Sequence, residues 1–236
     1  MEGLRTPREL VVIVVILLSS GCPIQAIVHA YGLDERTGAD WQKRAGKHCQ
    51  QVHQAIVEQG KVDTHHVQAD EIRAKGSKMV VWMGMAIDAT SRFWMAGVVS
   101  VRRDRDLADR LLQHVRACSQ SVRALLVCMD GWAAYPNSIM RAFRDQVKKT
   151  AGRGRCCLEM WPDLCIATVI KRAEKKRVVE VPRKRTLGTS EKAQTLLKMT
   201  VGCKEFNTSL IERLNGSATS TYLLTLSEAT HEEVSW

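Results

Sequence analysis

Hydrophobic and polar positions recur with different periods along this chain, and each period marks a region. Near the N-terminus, Leu10 to Leu18 is almost continuously apolar. Ile24, Ile27, Val28 and Tyr31 then recur at helical spacing and share one face. Pro23 suits the first turn of that helix, Gly32 permits a sharp turn after it, and Asp34 can cap the next helix. The following segment carries Arg36, Thr37, Asp40, Trp41, Lys43 and Arg44. Two short helices around a glycine turn, the second polar and basic, predict a helix-turn-helix, with Leu10 to Leu18 as a covering first helix.

From residue 65 the period shortens to that of strands. HHVQADEIRA alternates at Val67, Ala69 and, less cleanly, Ile72. MVVWMGMAID, residues 79–88, is β-branched and apolar, and RFWMAGVVSV, residues 92–101, follows across a tight turn in which Asp88 reads as a turn residue. Three such runs with short connections predict an antiparallel meander. Leu107, Leu111, Leu112 and Val115 then fall at helical spacing. ALLVCMD, residues 124–130, predicts a short buried strand ending in Asp130 and turning at Gly131. AAYPNSIMRAFRD reads as helical after Pro136, and residues 164–182 as a strand, a basic turn and a second strand. TSEKAQTLLKM is a helix capped by Thr189 or Ser190. The order β-β-β-α-β-α-β-α is that of a ribonuclease H-like fold, an α/β class with a mixed sheet. Finally, in FNTSLIERLNGS, residues 206–217, Asn207, Thr208 and Ser209 can start a helix that carries Glu212 in its first turns.

Composition narrows the chemistry. At 236 residues the chain can build one good core and a small extra domain. A net charge of +10 favours an anionic partner, most directly nucleic acid. Aromatic residues make up only 5%, which disfavours a base-stacking single-strand binder. The eight cysteines contain no C-x-x-C pair, so a zinc ribbon has little support and free thiols are expected. His65 and His66 read as flanking residues. The apolar run before Cys22 also has the look of a secretory or lipoprotein signal. It is far too short to span a bilayer, which needs about 20 residues, and the helix-turn-helix account explains it better. No membrane role and a cytoplasmic, nucleoid-associated location are therefore expected.

Three acids stand where a ribonuclease H-like fold brings carboxylates together: Asp70 on the first strand, Asp130 at the end of the fourth, and Glu212 on a late helix. Phosphodiester chemistry with two metal ions needs converging carboxylates to hold ions about 3.5–4 Å apart. Magnesium, with manganese as its substitute, takes oxygen ligands and keeps several waters, so a few carboxylates suffice. Each acid also has a plain structural reading. Asp70 is followed by Glu71, and one of the two can face solvent. Asp130 can close an Asp-Gly turn, and Glu212 can serve a helix macrodipole.

The phrases HVQADEIR, VWMGMAIDATSRFWMAG, VCMDGWAAYPNSI and FNTSLIERLN resemble bacterial insertion-sequence DDE transposases, as does the leader GLDERTGADWQKRAGKHCQQVH. The likeness covers roughly residues 20–216. It implies a ribonuclease H-like catalytic domain using two Mg²⁺ or Mn²⁺ ions, with Asp70, Asp130 and Glu212 as catalytic metal ligands. It also implies recognition of terminal inverted repeats in double-stranded DNA, strand cleavage and transfer, and a homo-oligomer on DNA. The expected organisation is a helix-turn-helix over residues 1–55, a catalytic domain over 56–216 and an atypical tail over 217–236. Arg36, Thr37, Lys43 and Arg44 are the expected DNA contacts of the first region. Lys171, Arg172, Lys175, Lys176 and Arg177, with Arg183, Lys184 and Arg185 nearby, form a basic cluster able to track phosphates or simply a solvated hairpin.

Two features depart from the family. Gly38 stands where a branched apolar residue usually pins the recognition helix, and glycine there costs about 1 kcal/mol of helix propensity. After Asn215, where the family continues with arginines, GSATSTYLLTLSEATHEEVSW contains no Lys or Arg, although the chain has 35. A shifted reading frame or a divergent tail both account for it. The alternative readings are a catalytically inactive DNA-binding remnant and a secreted lipoprotein acylated at Cys22.

Overall fold

The computed structural model describes residues 6–75, 80–120, 124–148, 156–174 and 177–216. They divide into two compact units, the N-terminal helices up to Ile56 and a larger unit over Val57–Asn215. The predicted tail over 217–236 lies outside the described residues.

The N-terminal unit contains α1 (Arg8–Ser19), α2 (Ile24–Tyr31) and α3 (Glu35–His53). Pro23 precedes α2, whose C-terminus turns at Gly32 with φ of 62°, a left-handed conformation that glycine adopts without steric cost. The Asp34 carboxylate accepts from the Arg36 N–H at 2.8 Å and caps α3. Val11, Val14 and Leu18 of α1, Ile27 of α2 and Trp41 of α3 make the core of this unit. The signal-like apolar run is thus one packed helix, and no helix among the described residues is long and apolar enough to cross a membrane. Gly38 is buried against Ile24, and a Cβ there would stand 3.3 Å from the Ile24 Cδ1. The apolar residue missing from α3 is supplied by Ile24 of α2, so glycine at this position permits close helix packing.

The larger unit is mixed α/β. Its main sheet uses β1 (His66–Lys75), β2 (Val80–Asp88), β3 (Trp94–Ser100), β4 (Ala124–Met129), β7 (Asp163–Val169) and β10 (Arg183–Leu187) in the order β10-β7-β4-β1-β2-β3. β1, β2 and β3 pair antiparallel as a meander, β1, β4 and β7 pair parallel, and β10 closes the other edge antiparallel to β7. Two small hairpins stand apart from it: β5 (Arg144–Val147) with β6 (Cys157–Met160), and β8 (Arg172–Glu174) with β9 (Arg177–Glu180). The strand expected after the basic turn is β9, which closes a local hairpin, and the strand that pairs with β7 is β10, beyond the expected end at residue 182.

Helices α4 (Arg105–Cys118) and α5 (Ala134–Ala142) cover one face of the sheet. Leu107, Leu111, Leu112 and Val115, the predicted stripe, are all fully buried there. Pro136 sits inside the first turn of α5, where its missing N–H costs nothing, so α5 starts before the proline. Helix α6 (Ser190–Lys198), capped by the Thr189 hydroxyl, packs Ala193, Leu196 and Leu197 on the opposite face against Leu126, Cys128, Cys165 and Ala167. A last helix, α7, runs over residues 209–216. Asp88 is the expected turn residue: its carboxylate accepts from both the N–H and the hydroxyl of Ser91 at 2.7 Å. All eight cysteines are free thiols.

Candidate metal centre

Strand pairing brings the first two acids together. β1 and β4 run parallel with Ala69 opposite Met129, so the next residues, Asp70 and Asp130, lie side by side where β4 ends. Val67 and Ala69 point into the α4/α5 core, and alternation turns Gln68 and Asp70 to the other face. Asp130 also closes its Asp-Gly turn, accepting from the Trp132 N–H at 3.0 Å. Turn residue and site residue are here the same residue.

Glu71 lies on the α4/α5 side and does not face solvent; only 2% of its side chain is exposed. Its Oε1 accepts from Arg103, with Nε at 2.7 Å. The Arg103 guanidinium stacks between the rings of Trp82 and Trp132, 5.2 and 4.9 Å from their centroids, and reaches to 3.9 Å from Asp130. The Tyr135 hydroxyl lies beside Glu71, yet neither it nor Glu71 Oε2 reaches a hydrogen bond of full geometry. Asp70, Glu71 and Asp130 each offer an oxygen within 4.8 Å of the others.

The third acid arrives on α7. Thr208 donates its hydroxyl to one Glu212 oxygen, and the Lys171 ammonium pairs with the other. Those two contacts hold Glu212 outside the three-acid cluster, but near enough for its charge to act on Asp70. Asn215, one helical turn later, donates to Asp70 Oδ2 at 2.8 Å and ties α7 to β1.

Burial, joined at Asp70 and Glu71 by like charge, shows in the protonation of the acids. Burial, then the Asp130 and Glu71 carboxylates and more weakly Glu212, push the Asp70 pKa up to about 7. Burial raises Asp130 too, against the pull of the Trp132 N–H and Arg103. Glu71 is raised by burial and by Asp130, and Arg103 opposes the shift. Three acids at mutual reach with one guanidinium between them leave negative charge uncompensated. A hard divalent cation with oxygen ligands fits that deficit.

The basic residues divide. Arg36, Lys43 and Arg44 are exposed on α3 and Thr37 is half-buried there, with Arg44 paired to Asp40 at 2.8 Å. Lys171 pairs with Glu212. Arg172 pairs with Glu180 across the β8–β9 hairpin at 2.8 Å, and Arg177 is exposed on β9. Lys175 and Lys176 lie outside the described residues. Lys171 and Arg172 are thus partly neutralised by acids of this chain, and the solvated-hairpin reading suits Arg172.

Sequence reasoning did not single out Gln68, Arg103 or Tyr135, and took Glu71 only as a neighbour. Strand alternation places Gln68 on the Asp70 face and could have flagged it. The partners of Arg103 come from β1, β2 and the loop after β4, and no local pattern announces them.

No protein-family model matches this chain, and no curated protein matches it either.

Proposed function

We propose that this chain is a DDE-type DNA transposase, an enzyme that cleaves DNA strands at terminal inverted repeats and transfers them to target DNA. The observation that carries the reading is the meeting of Asp70 and Asp130 with their oxygens within the 4.8 Å cluster, and with Asp70 bonded by Asn215 of the helix bearing Glu212. Three phrases far apart in sequence, ADE, MDG and IERLN, are brought to one place. The meander β1–β2–β3 followed by parallel β4 and β7 supports a ribonuclease H-like catalytic domain. Three packed helices with a glycine turn before α3, and exposed Arg36 and Lys43 along it, support a helix-turn-helix that docks on double-stranded DNA.

Bound Mg²⁺ or Mn²⁺, two ions in this reading, supplies an activated water or 3′-hydroxyl and charge stabilisation at the leaving oxygen. Asp70 and Asp130 would hold the metal, and Glu212 would be the third ligand on exchanging its Thr208 and Lys171 contacts for the ion. Asn215 donates to Asp70 Oδ2 and so orients the carboxylate that would face the metal. Arg103 keeps Glu71 paired and lies against Asp130 from the opposite side. Lys171 brings an ammonium beside Glu212, where a DNA phosphate would meet it. Joining two element ends calls for a homo-oligomer on DNA, working in the cytoplasm at the nucleoid.

The test is nicking of supercoiled plasmid by the full chain with Mn²⁺ or Mg²⁺. Asp70→Asn should abolish nicking, a loss of at least about 10³-fold, while retaining DNA binding. DNA binding without metal-dependent nicking in the unmodified chain would favour an inactive DNA-binding remnant. Nicking that persists in Asp70→Asn would place the chemistry elsewhere.

A further inference from the structure

We propose that Gln68 is the positioning residue for the third carboxylate: from β1 it sets the height and rotation of α7, and through α7 the place of Glu212. The inference rests on the metal-site reading above, but its evidence is independent of it. Gln68 is fully buried, two residues before Asp70 and on the same face of the same strand. Its Oε1 accepts from the N–H groups of Leu210 and Ile211, at 3.0 and 3.2 Å. Its Nε2 donates to the Asn207 Oδ1 at 3.1 Å. One carboxamide therefore satisfies two of the free N–H groups in the first turn of α7 and grips Asn207, two residues before its start.

This arrangement differs from an ordinary cap, which belongs to the helix's own chain neighbours. Asn207 plays that local part, accepting from the Ser209 N–H and hydroxyl at 3.3 and 2.8 Å. Gln68 adds a cap from a central strand, so the helix start is referenced to the backbone that also carries Asp70. Asn215 makes the second fixed point, from the far end of α7 to Asp70 itself. Two points on a helix and two on a strand fix both translation and rotation, and Glu212 lies between them. Apolar packing alone would leave α7 free to slide. A side chain that both donates and accepts cannot be satisfied in a shifted register, because a buried carboxamide left unpaired is costly.

The experiment uses the full chain and two readouts. Hydrogen exchange of peptides covering residues 206–214 reports the clamp, and Mn²⁺ binding followed by electron paramagnetic resonance reports the site. Gln68→Leu should speed exchange in 206–214 by about tenfold or more and weaken Mn²⁺ binding by about tenfold, with exchange in β2 and α4 unchanged. Gln68→Glu, which still accepts from both N–H groups, should keep exchange at Leu210 and Ile211 close to that of the unmodified chain. Adding Gln68→Leu to Glu212→Gln should weaken Mn²⁺ binding no further, because Gln68 acts through Glu212. Unchanged exchange in 206–214 for Gln68→Leu would overturn the clamp. Full additivity with Glu212→Gln would overturn its link to the third carboxylate. Absence of Mn²⁺ binding by the unmodified chain would overturn both that link and the metal reading, with the exchange data still judging the clamp.

Discussion

The two faces of the central sheet are held by different forces. The α4/α5 face is an extended apolar interface in which Leu107, Leu111, Leu112, Val115, Tyr135 and Ile139 are fully buried against the strands. The α6/α7 face has a smaller apolar cluster under α6 and, next to it, a polar seam. That seam runs from His66, bonded to Thr200 at 3.0 Å, through Gln68 and its α7 partners to Asp70 and Asn215. Apolar burial is strong and indifferent to direction, whereas hydrogen bonds contribute little net energy but demand one geometry. The first face therefore carries the stability, and the second carries the placement of Asp70 and Glu212.

That division can be broken from either side. Leu111→Ala should cost about 2–5 kcal/mol of unfolding free energy in a urea titration, because it empties a site with no solvent access. It should leave Mn²⁺ affinity unchanged in the folded fraction. An equal loss of affinity would show that the two faces are not separable.

The acids themselves sharpen the contrast through pH. The folded-state pKa of Asp70 is about 7, above the ordinary 3.8. Between those values the unfolded chain gives up the proton that the folded chain retains, so this residue's contribution to stability falls as pH rises. Metal-free Asp70→Asn should gain stability over the unmodified chain across that window, by up to about 1.4 kcal/mol per pH unit, and level off above it. Denaturant titrations at pH 5, 6, 7 and 8 measure the difference, and a flat difference would contradict an Asp70 pKa raised by burial and its acidic neighbours. Added Mn²⁺ should stabilise the unmodified chain more at pH 8 than at pH 5, since the ion competes with the proton.

The smallest effect on stability belongs to Asn215→Ala. Removing one donor from Asp70 should cost less than about 1.5 kcal/mol of unfolding free energy, while Mn²⁺ binding weakens by about tenfold because Asp70 loses its rotamer lock. A large stability loss with intact Mn²⁺ binding would reverse the assignment of roles between the faces.

Much of this was legible in the chain. The apolar stripe of α4, the meander and the caps at Asp34 and Thr189 follow from local periodicity and local hydrogen bonding, and the structure has them at those residues; of the α2 stripe Ile27 is buried and Tyr31 is exposed. What sequence could not show is long-range. β10, beyond the strand expected up to residue 182, pairs with β7, while Arg172 and Glu180 close a short hairpin before it. Glu71 was hidden by its neighbour: alternation says only that it faces away from Asp70, and its burial depends on Arg103 folding over from the loop after β3. Lys171 looked like one more residue of a basic run, but its partner Glu212 lies 41 residues away. Gly38 looked like a lost contact because the side chain that fills its place comes from α2.

The central claim is that Asp70, Asp130 and Glu212 serve one divalent-metal site on the hydrogen-bonded face of the sheet. Its most direct test is Mn²⁺ binding at pH 8, followed by electron paramagnetic resonance, in the unmodified full chain and in Asp130→Asn. The account predicts saturable binding by the unmodified chain and a loss of affinity of at least about 100-fold in the variant, whose fold should be unchanged by circular dichroism. Equal binding by both proteins, or no saturable binding by the unmodified chain, would contradict it.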